Sequence, residues 1–143
     1  MYRKILVPLD GSKVSTAALT EALRFAGGQG ACLTLLFVCE SMYDVLTEGP
    51  VDLTASIRRE GEIILANAAA QAREARVEAE VALIDAGERR VAEVIIQEAE
   101  RRGADLIAMG THGRRGVQHF MLGSVAEGVI RQATMPVLLL RSA

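Results

Sequence analysis

Five short apolar runs alternate with four longer segments of helical periodicity along the 143 residues of this chain. Most of the short runs are continuously apolar and rich in Val, Leu and Ile, which is typical of parallel strands covered by helices on both faces. The five predicted strands are Arg3–Leu9, Cys32–Cys39, Val77–Ile84, Asp105–Met109 and Val137–Leu140. This alternation predicts one α/β domain over residues 1–143, an open doubly wound sheet of five parallel strands.

The segments between the strands carry apolar residues on one helical face. The first two predicted helices are Ser12–Gly27 and Ala55–Arg76, and the last two are marked by Val91, Val94, Ile95 and Ala99 and by Val125, Val129, Ile130 and Ala133. The third strand alternates between apolar and polar residues, which favours an edge position. We therefore expect the strand order 3-2-1-4-5, with a ligand beyond the carboxyl ends of strands 1 and 4.

A glycine-rich segment follows the fourth strand. It reads Met109-Gly110-Thr111-His112-Gly113-Arg114-Arg115-Gly116, and Gly123-Ser124 comes seven residues later, at the predicted start of the last helix. Glycine allows the backbone close to a ligand, and exposed N–H groups in such a loop or at a helix N-terminus attract anions. The arrangement points to a nucleotide phosphate.

The spacing of these glycines excludes two common phosphate motifs. Gly-x4-Gly-Lys-Ser/Thr is absent, and Asp10-Gly11-Ser12-Lys13 lacks the upstream glycine that would complete it. Gly110, Gly113 and Gly116 recur every three residues after the fourth strand, whereas the dinucleotide fingerprint follows the first.

The pattern Gly110-x2-Gly113-x9-Gly123-Ser124 resembles the ATP-binding motif of the universal stress protein family. Three further segments are similar to that family: Ile5–Ser12, Gly103–Gly110 and Pro136–Leu140. The resemblance covers essentially the whole chain and implies the adenine nucleotide alpha hydrolase-like fold.

The resemblance also implies a division of the site. Adenine would lie beside Val38, with Pro8, Leu9 and Asp10 on the nucleoside side and Met109 and Gly110 as the floor. The phosphates would be bound by Gly113, Gly123, Ser124 and Val125. Apart from the resemblance, His112 and Arg114 lie in the same segment and are also candidate nucleotide-binding residues.

Several side chains keep more than one interpretation. Asp10 could accept from ribose hydroxyls, hold Mg²⁺ against the phosphates, or cap the helix that begins near Ser12 or Lys13. Arg114 and Arg115 either clamp a terminal phosphate or are solvated. A metal site at His112 is disfavoured because no Cys, Asp or second His accompanies it at ligand spacing.

The charge and composition of the chain limit its expected binding partners and its expected cellular location. The formal net charge is −2 and the pI is near 5.7, which gives no electrostatic case for nucleic acid or an acidic membrane. No signal peptide or membrane-spanning run is apparent, so we expect a cytoplasmic protein. Cys32 and Cys39 lie in one predicted strand and are expected to be reduced and buried.

No nucleophile is paired with a base in the sequence, which favours binding over chemistry. The resulting hypothesis is an ATP-binding regulatory or stress-tolerance module that forms a homodimer through its C-terminal strand. The alternatives are a slow ATPase or adenylyl-transferring enzyme, and a structural dimer that binds no nucleotide. The connection Glu40–Leu53 is either a lid or a plain surface loop.

Overall fold

The structure is a computed structural model, and it describes residues 1–40, 43–44, 51–112 and 122–141. The helices are α1 (Lys13–Gly27), α2 (Thr54–Glu74), α3 (Val91–Arg101) and α4 (Ser124–Gln132). The strands are β1 (Lys4–Pro8), β2 (Cys32–Cys39), β3 (Tyr43–Asp44), β4 (Val51–Asp52), β5 (Ala79–Asp85), β6 (Leu106–Gly110) and β7 (Val137–Leu140). No helix in this part of the chain is both long and apolar enough to cross a membrane.

The main sheet has five parallel strands in the order β5-β2-β1-β6-β7. Counted along the main sheet alone, this is the predicted order 3-2-1-4-5, and four helices accompany it as predicted. The alternating third strand, β5, lies at one edge of the sheet, which confirms its expected position.

The stretch predicted as an aperiodic connection contains two short strands. β3 and β4 pair in antiparallel fashion, with Tyr43 opposite Asp52 and Asp44 opposite Val51. Each strand has only two residues, too few for an alternating pattern to show in the sequence. Residues 41–42 and 45–50 of the connection Glu40–Leu53, interpreted as either a lid or a plain surface loop, lie outside the described residues.

Two apolar layers enclose the sheet, one on each face. On one face, Ile5, Val7 and Leu9 of the first strand region pack in a cluster with residues of α1 and α2. On the other face, Leu6 packs with residues of α3 and α4. The period-two alternation of strand side chains thus sends neighbouring residues of one strand into different cores.

Small residues allow α2 to approach the sheet closely. Gly61 of α2 is buried against the ring of Phe37 in β2, and a Cβ placed on Gly61 would lie 2.6 Å from Phe37 Cε1. That distance is well inside van der Waals contact, so the glycine is required by packing.

Replacing Gly61 by Ala tests this contact. Alanine favours a helix over glycine by about 1 kcal/mol, whereas overpacking a core costs about 1–3 kcal/mol. We expect Gly61→Ala to lower the free energy of unfolding in urea, and to raise it in a Phe37→Leu background, where the ring is gone. The matched control is Gly27→Ala, because a Cβ at Gly27, the last residue of α1, meets no atom within 4 Å. A Gly61→Ala chain more stable than its parent would contradict the packing argument.

Candidate functional site

The central strand stops short of its neighbours at the carboxyl edge of the sheet. β1 ends at Pro8, opposite Leu36, while β2 continues to Cys39. On the other side, β1 pairs with β6 only at Ile5–Leu106 and Leu6–Ile107, although β6 continues to Gly110. The end of β1 therefore lies between the longer strands β2 and β6, at the predicted switch point, where a sheet of this topology forms a ligand crevice.

Val38 presents its backbone to this crevice. Leu36 accepts from the N–H of Leu9 at 2.8 Å and Cys39 accepts from the N–H of Ala86 at 2.9 Å, so even-numbered residues of β2 face β1 and odd-numbered ones face β5. Val38 therefore faces β1, but within the described ranges no backbone hydrogen bond joins Val38 to the chain that follows Pro8. Its N–H and C=O form a donor and acceptor pair suited to the edge of a planar heterocycle.

The loop after β1 is held by a network of short polar side chains. Asp10 Oδ1 accepts a hydrogen bond from the Ser12 N–H at 2.9 Å. The Asp10 N–H in turn donates to the Ser15 hydroxyl oxygen at 3.4 Å. Ser12 Oγ accepts from the Ser15 N–H at 3.1 Å. Ser12, rather than Asp10, is thus the N-cap of α1, while Asp10 shapes the turn before it.

Gly11 makes that turn possible. It has φ of +84°, and a Cβ there would lie 2.9 Å from Cδ1 of Ile64 on α2. A side chain at this position would be both strained and crowded. The roles of Ser15 and Gly11 were not predicted from the sequence, where only Ser12 at the predicted helix start is a recognisable N-cap signal.

The end of β6 is joined to the start of α4 through Thr111. The Thr111 carbonyl accepts from the Gly123 N–H at 2.8 Å, and a Cβ on Gly123 would lie 2.9 Å from that same oxygen and 3.3 Å from the His112 Cα. Gly123 is buried and is the N-cap of α4, without a side-chain cap hydrogen bond. The first N–H groups of α4 are consequently positioned beside the end of β6 and lack intrahelical acceptors.

The predicted phosphate residues at this helix differ in exposure. Ser124 is exposed at the first position of α4, and Val125 is half-buried against the core on the α3 and α4 face. Of these two residues, Ser124 can therefore offer a phosphate both its hydroxyl and its backbone N–H, whereas Val125 can offer only its backbone N–H.

The other predicted residues fall on both faces of the sheet. Met109 and Val38 pack on the α3 and α4 face, and Pro8 points the same way because it is two residues from Leu6. Leu9 packs its side chain into the opposite core. Leu9 is therefore left to contribute backbone atoms to a site above Pro8.

Gly110 is fixed by packing as well as by its place in the motif. A Cβ on Gly110 would collide with the side chain of Val14 in the first turn of α1, and would lie 3.2 Å from the Val14 carbonyl carbon. His112 is half-buried, with Nδ1 2.9 Å from the Thr111 hydroxyl. Gly113, Arg114 and Arg115 lie outside the described residues.

A resident metal cluster is not formed by the described side chains. Within the described ranges, no three His, Cys, Asp or Glu residues lie close enough together to hold a metal ion. A single carboxylate such as Asp10 can still hold Mg²⁺ when phosphate oxygens complete the coordination.

A family model described as the universal stress protein family matches residues 1–141 of the chain. The chain belongs to this family. A universal stress protein of Thermus aquaticus is 38% identical over 142 residues, with 99% of this chain and 100% of the relative covered. The family indicated by the glycine motif is thus confirmed.

Solved structures of universal stress proteins share the fold. The MJ0577 protein of Methanocaldococcus jannaschii has a TM-score of 0.83 at 25% identity, covering 100% of this chain and 98% of its own. An Archaeoglobus fulgidus protein in complex with dAMP has a TM-score of 0.74 at 23% identity, covering 97% and 98%. A universal stress protein in complex with cAMP has a TM-score of 0.75 at 21% identity, covering 99% of both chains.

The two cysteines of this universal stress protein differ in their surroundings. Cys39, at the end of β2, is 1% exposed, whereas Cys32 is half-buried, so the expectation that both are buried was wrong for Cys32. Burial raises the pKa of the Cys39 thiol, and the nearby carboxylate of Asp85 raises it further. A protonated, buried thiol is a poor nucleophile.

Alkylation with iodoacetamide at pH 8 should therefore distinguish the two thiols. We expect Cys32 to react in the folded protein and Cys39 to stay unmodified, because the reagent can reach the half-buried Cys32 and because Cys39 is buried with a raised pKa. Peptide mass spectrometry reports the modified residue, and both residues should be modified in 6 M guanidinium. Preferential labelling of Cys39 in the folded protein would show that it is an activated thiol.

Proposed function

We propose that this universal stress protein binds an adenine nucleotide in the crevice above β1 and acts as a nucleotide-responsive regulatory or stress-tolerance module of the cytoplasm. The proposal rests mainly on one observation: two sets of backbone hydrogen-bonding groups, one on β2 and one at the start of α4, lie on either side of the same crevice. Val38 faces it with a backbone N–H and C=O that make no backbone hydrogen bond to the described residues after Pro8, and Gly123 holds the start of α4 against the end of β6. The dAMP and cAMP complexes of proteins with this fold support adenine as the base.

The parts of the crevice suit different parts of a nucleotide. The half-buried side chains of Pro8 and Val38 and the buried Met109 provide an apolar slot for a purine, and the Val38 backbone matches the donor and acceptor edge of adenine. The N-terminus of α4, whose N-cap Gly123 has no side chain to accept from the first N–H groups, suits phosphate oxygens together with the hydroxyl of Ser124. Gly113 completes the proposed phosphate site, as the family motif implies. Arg114 lies in the spacer of that motif, and its guanidinium group suits a terminal phosphate.

Asp10 would act at the sugar and phosphate junction. Its Oδ1 atom accepts from the Ser12 N–H, which fixes the carboxylate beside the end of β1. We propose ATP as the ligand. If Asp10→Asn loses the part of the affinity that depends on Mg²⁺, Asp10 is assigned to the metal; an equal loss with and without Mg²⁺ assigns it to the ribose hydroxyls.

Nucleotide binding is tested first on the parent chain. Mass spectrometry of small molecules released from purified protein, followed by calorimetric titration with ATP, AMP and GTP, identifies the ligand. We expect an adenine nucleotide to be released and to bind more tightly than GTP. Release of ADP from ATP faster than about 1 s⁻¹, near the low end of ordinary enzymes, would favour the enzymatic alternative.

Gly123→Ala tests the phosphate end of the site. The new Cβ would lie 2.9 Å from the Thr111 carbonyl oxygen, a backbone atom that cannot rotate away, so α4 must shift from β6. Loss of one or two hydrogen bonds to a charged group should weaken ATP binding about tenfold or more. Gly27→Ala is the control with open space around the new methyl group. Ser124→Ala, at an exposed position, removes only the hydroxyl and should weaken binding by less. Unchanged affinity in both site variants would exclude the start of α4 from the site.

A homodimer through β7 is the second part of the proposal. β7 is an edge strand whose four apolar residues are all partly exposed. The carbonyls of Pro136 and Leu140 accept from Ile107 and Thr111, so even-numbered residues face β6 and the N–H of Leu139 points toward the open edge. A second copy could pair with that edge.

Leu139→Pro removes the outward N–H and leaves the pairing with β6 intact. Leu139→Ala is the matched control, because it removes similar side-chain packing and keeps the N–H. We expect light scattering after size exclusion to report a dimer for the parent and for Leu139→Ala, and a monomer for Leu139→Pro. A dimer of unchanged stability in the proline variant would rule out pairing at this edge.

A further inference from the structure

Pro8 occupies an unusual position, at the last residue of a central strand. β1 has a partner on each side, β2 and β6. Proline has no N–H to donate and is normally confined to edge strands, strand starts and bulges. Its presence in the central strand therefore needs a physical reason.

The backbone hydrogen bonds of β1 show which neighbour the Pro8 nitrogen faces. The Arg3 carbonyl accepts from Cys32 and the Leu9 N–H donates to Leu36, so odd-numbered residues face β2. The Lys4 carbonyl accepts from Asp105, so even-numbered residues face β6. The nitrogen of Pro8 is thus directed toward β6.

The β6 carbonyl that would accept a hydrogen bond from an N–H at position 8 belongs to Ala108. The Ile107 N–H donates to Pro136, next to β7, so Ala108 faces the other way, toward β1. Continuing the register of Ile5 opposite Leu106 brings the Ala108 carbonyl to the residue at position 8. Because proline cannot donate there, pairing with β6 stops at Leu6–Ile107, whereas pairing with β2 continues to Pro8–Leu36.

We propose that Pro8 is a positioning residue that keeps the crevice open by ending the hydrogen-bond ladder between β1 and β6. An N–H at this position would extend the ladder by one bond and draw the segment leading to Asp10 toward Gly110. The nucleotide would then compete with a bond inside the sheet. This inference rests on the proposed nucleotide site, and it assigns to Pro8 a role separate from contact with the base.

Two substitutions distinguish the effect of the missing N–H donor at position 8 from the effect of the proline side chain. Pro8→Ala and Pro8→Val both introduce an N–H, while valine keeps an apolar side chain of similar size and favours a strand. The control is Pro136→Ala, just before β7, because the Pro136 carbonyl that accepts from Ile107 is retained. The readouts are amide hydrogen exchange by NMR and ATP affinity by calorimetry.

We expect the new amide at position 8 to exchange as slowly as the Leu9 amide in both variants. ATP affinity should fall by about fivefold in both, since one ladder hydrogen bond must be broken on binding. Pro136→Ala should bind as the parent does. Should the alanine variant fail to fold, the valine variant carries the same test.

Three results would overturn the inference. The new amide could exchange rapidly, both variants could bind ATP as the parent does, or the valine variant alone could restore parental affinity, which would assign the effect to apolar contact. Absence of binding in the parent chain would reject the proposed function instead. The exchange measurement would still decide whether Pro8 ends the ladder.

Discussion

The hydrogen bonding of β1 to two parallel neighbours determines the strand order, the two apolar cores and the position of the proposed site. Pairing with β2 on one side and β6 on the other fixes β1 at the centre of the sheet, with β5 and β7 as edges. Its alternating side chains enter both apolar cores, Ile5 and Val7 on one face and Leu6 on the other. Because β1 is also the strand that ends first, the crevice lies at the centre of the carboxyl edge, where α1 begins.

The motif glycines have structural reasons that do not involve a ligand. Gly110 lacks a side chain because Val14 of α1 occupies the space, and Gly123 lacks one because the Thr111 backbone does. Each contact also brings a helix N-terminus close to a strand end, which is the geometry an anion requires. The same absence of a side chain therefore serves packing and binding together, and larger substitutions at Gly110 change both. Ser124 is exposed and takes no part in these packing contacts, so a substitution there affects binding without changing the packing.

The strands and the sheet order could be predicted because continuous apolar runs and helical periodicity both report burial. β2 and β7 have the predicted bounds, and the ends of β1, β5 and β6 differ by one or two residues. β3 and β4 are too short to carry a pattern. The bond from Gly123 to Thr111 joins residues across a segment without periodicity, so only the tertiary structure reveals it. The opposite directions of Pro8 and Leu9 follow from strand alternation, which the family motif does not encode.

Thr111 connects the proposed nucleotide site to the proposed dimer edge. Its N–H donates to the Leu140 carbonyl at the end of β7, and its own carbonyl accepts from the N–H of Gly123 at the start of α4. Both bonds use backbone atoms, so the connection belongs to the fold and is insensitive to the side chain at position 111. A ligand that pulled the start of α4 toward the crevice would act on the Thr111 peptide groups, and through them on the last residue of the edge strand. Hydrogen-bond networks of this kind can carry energetic coupling between a binding site and an outer surface.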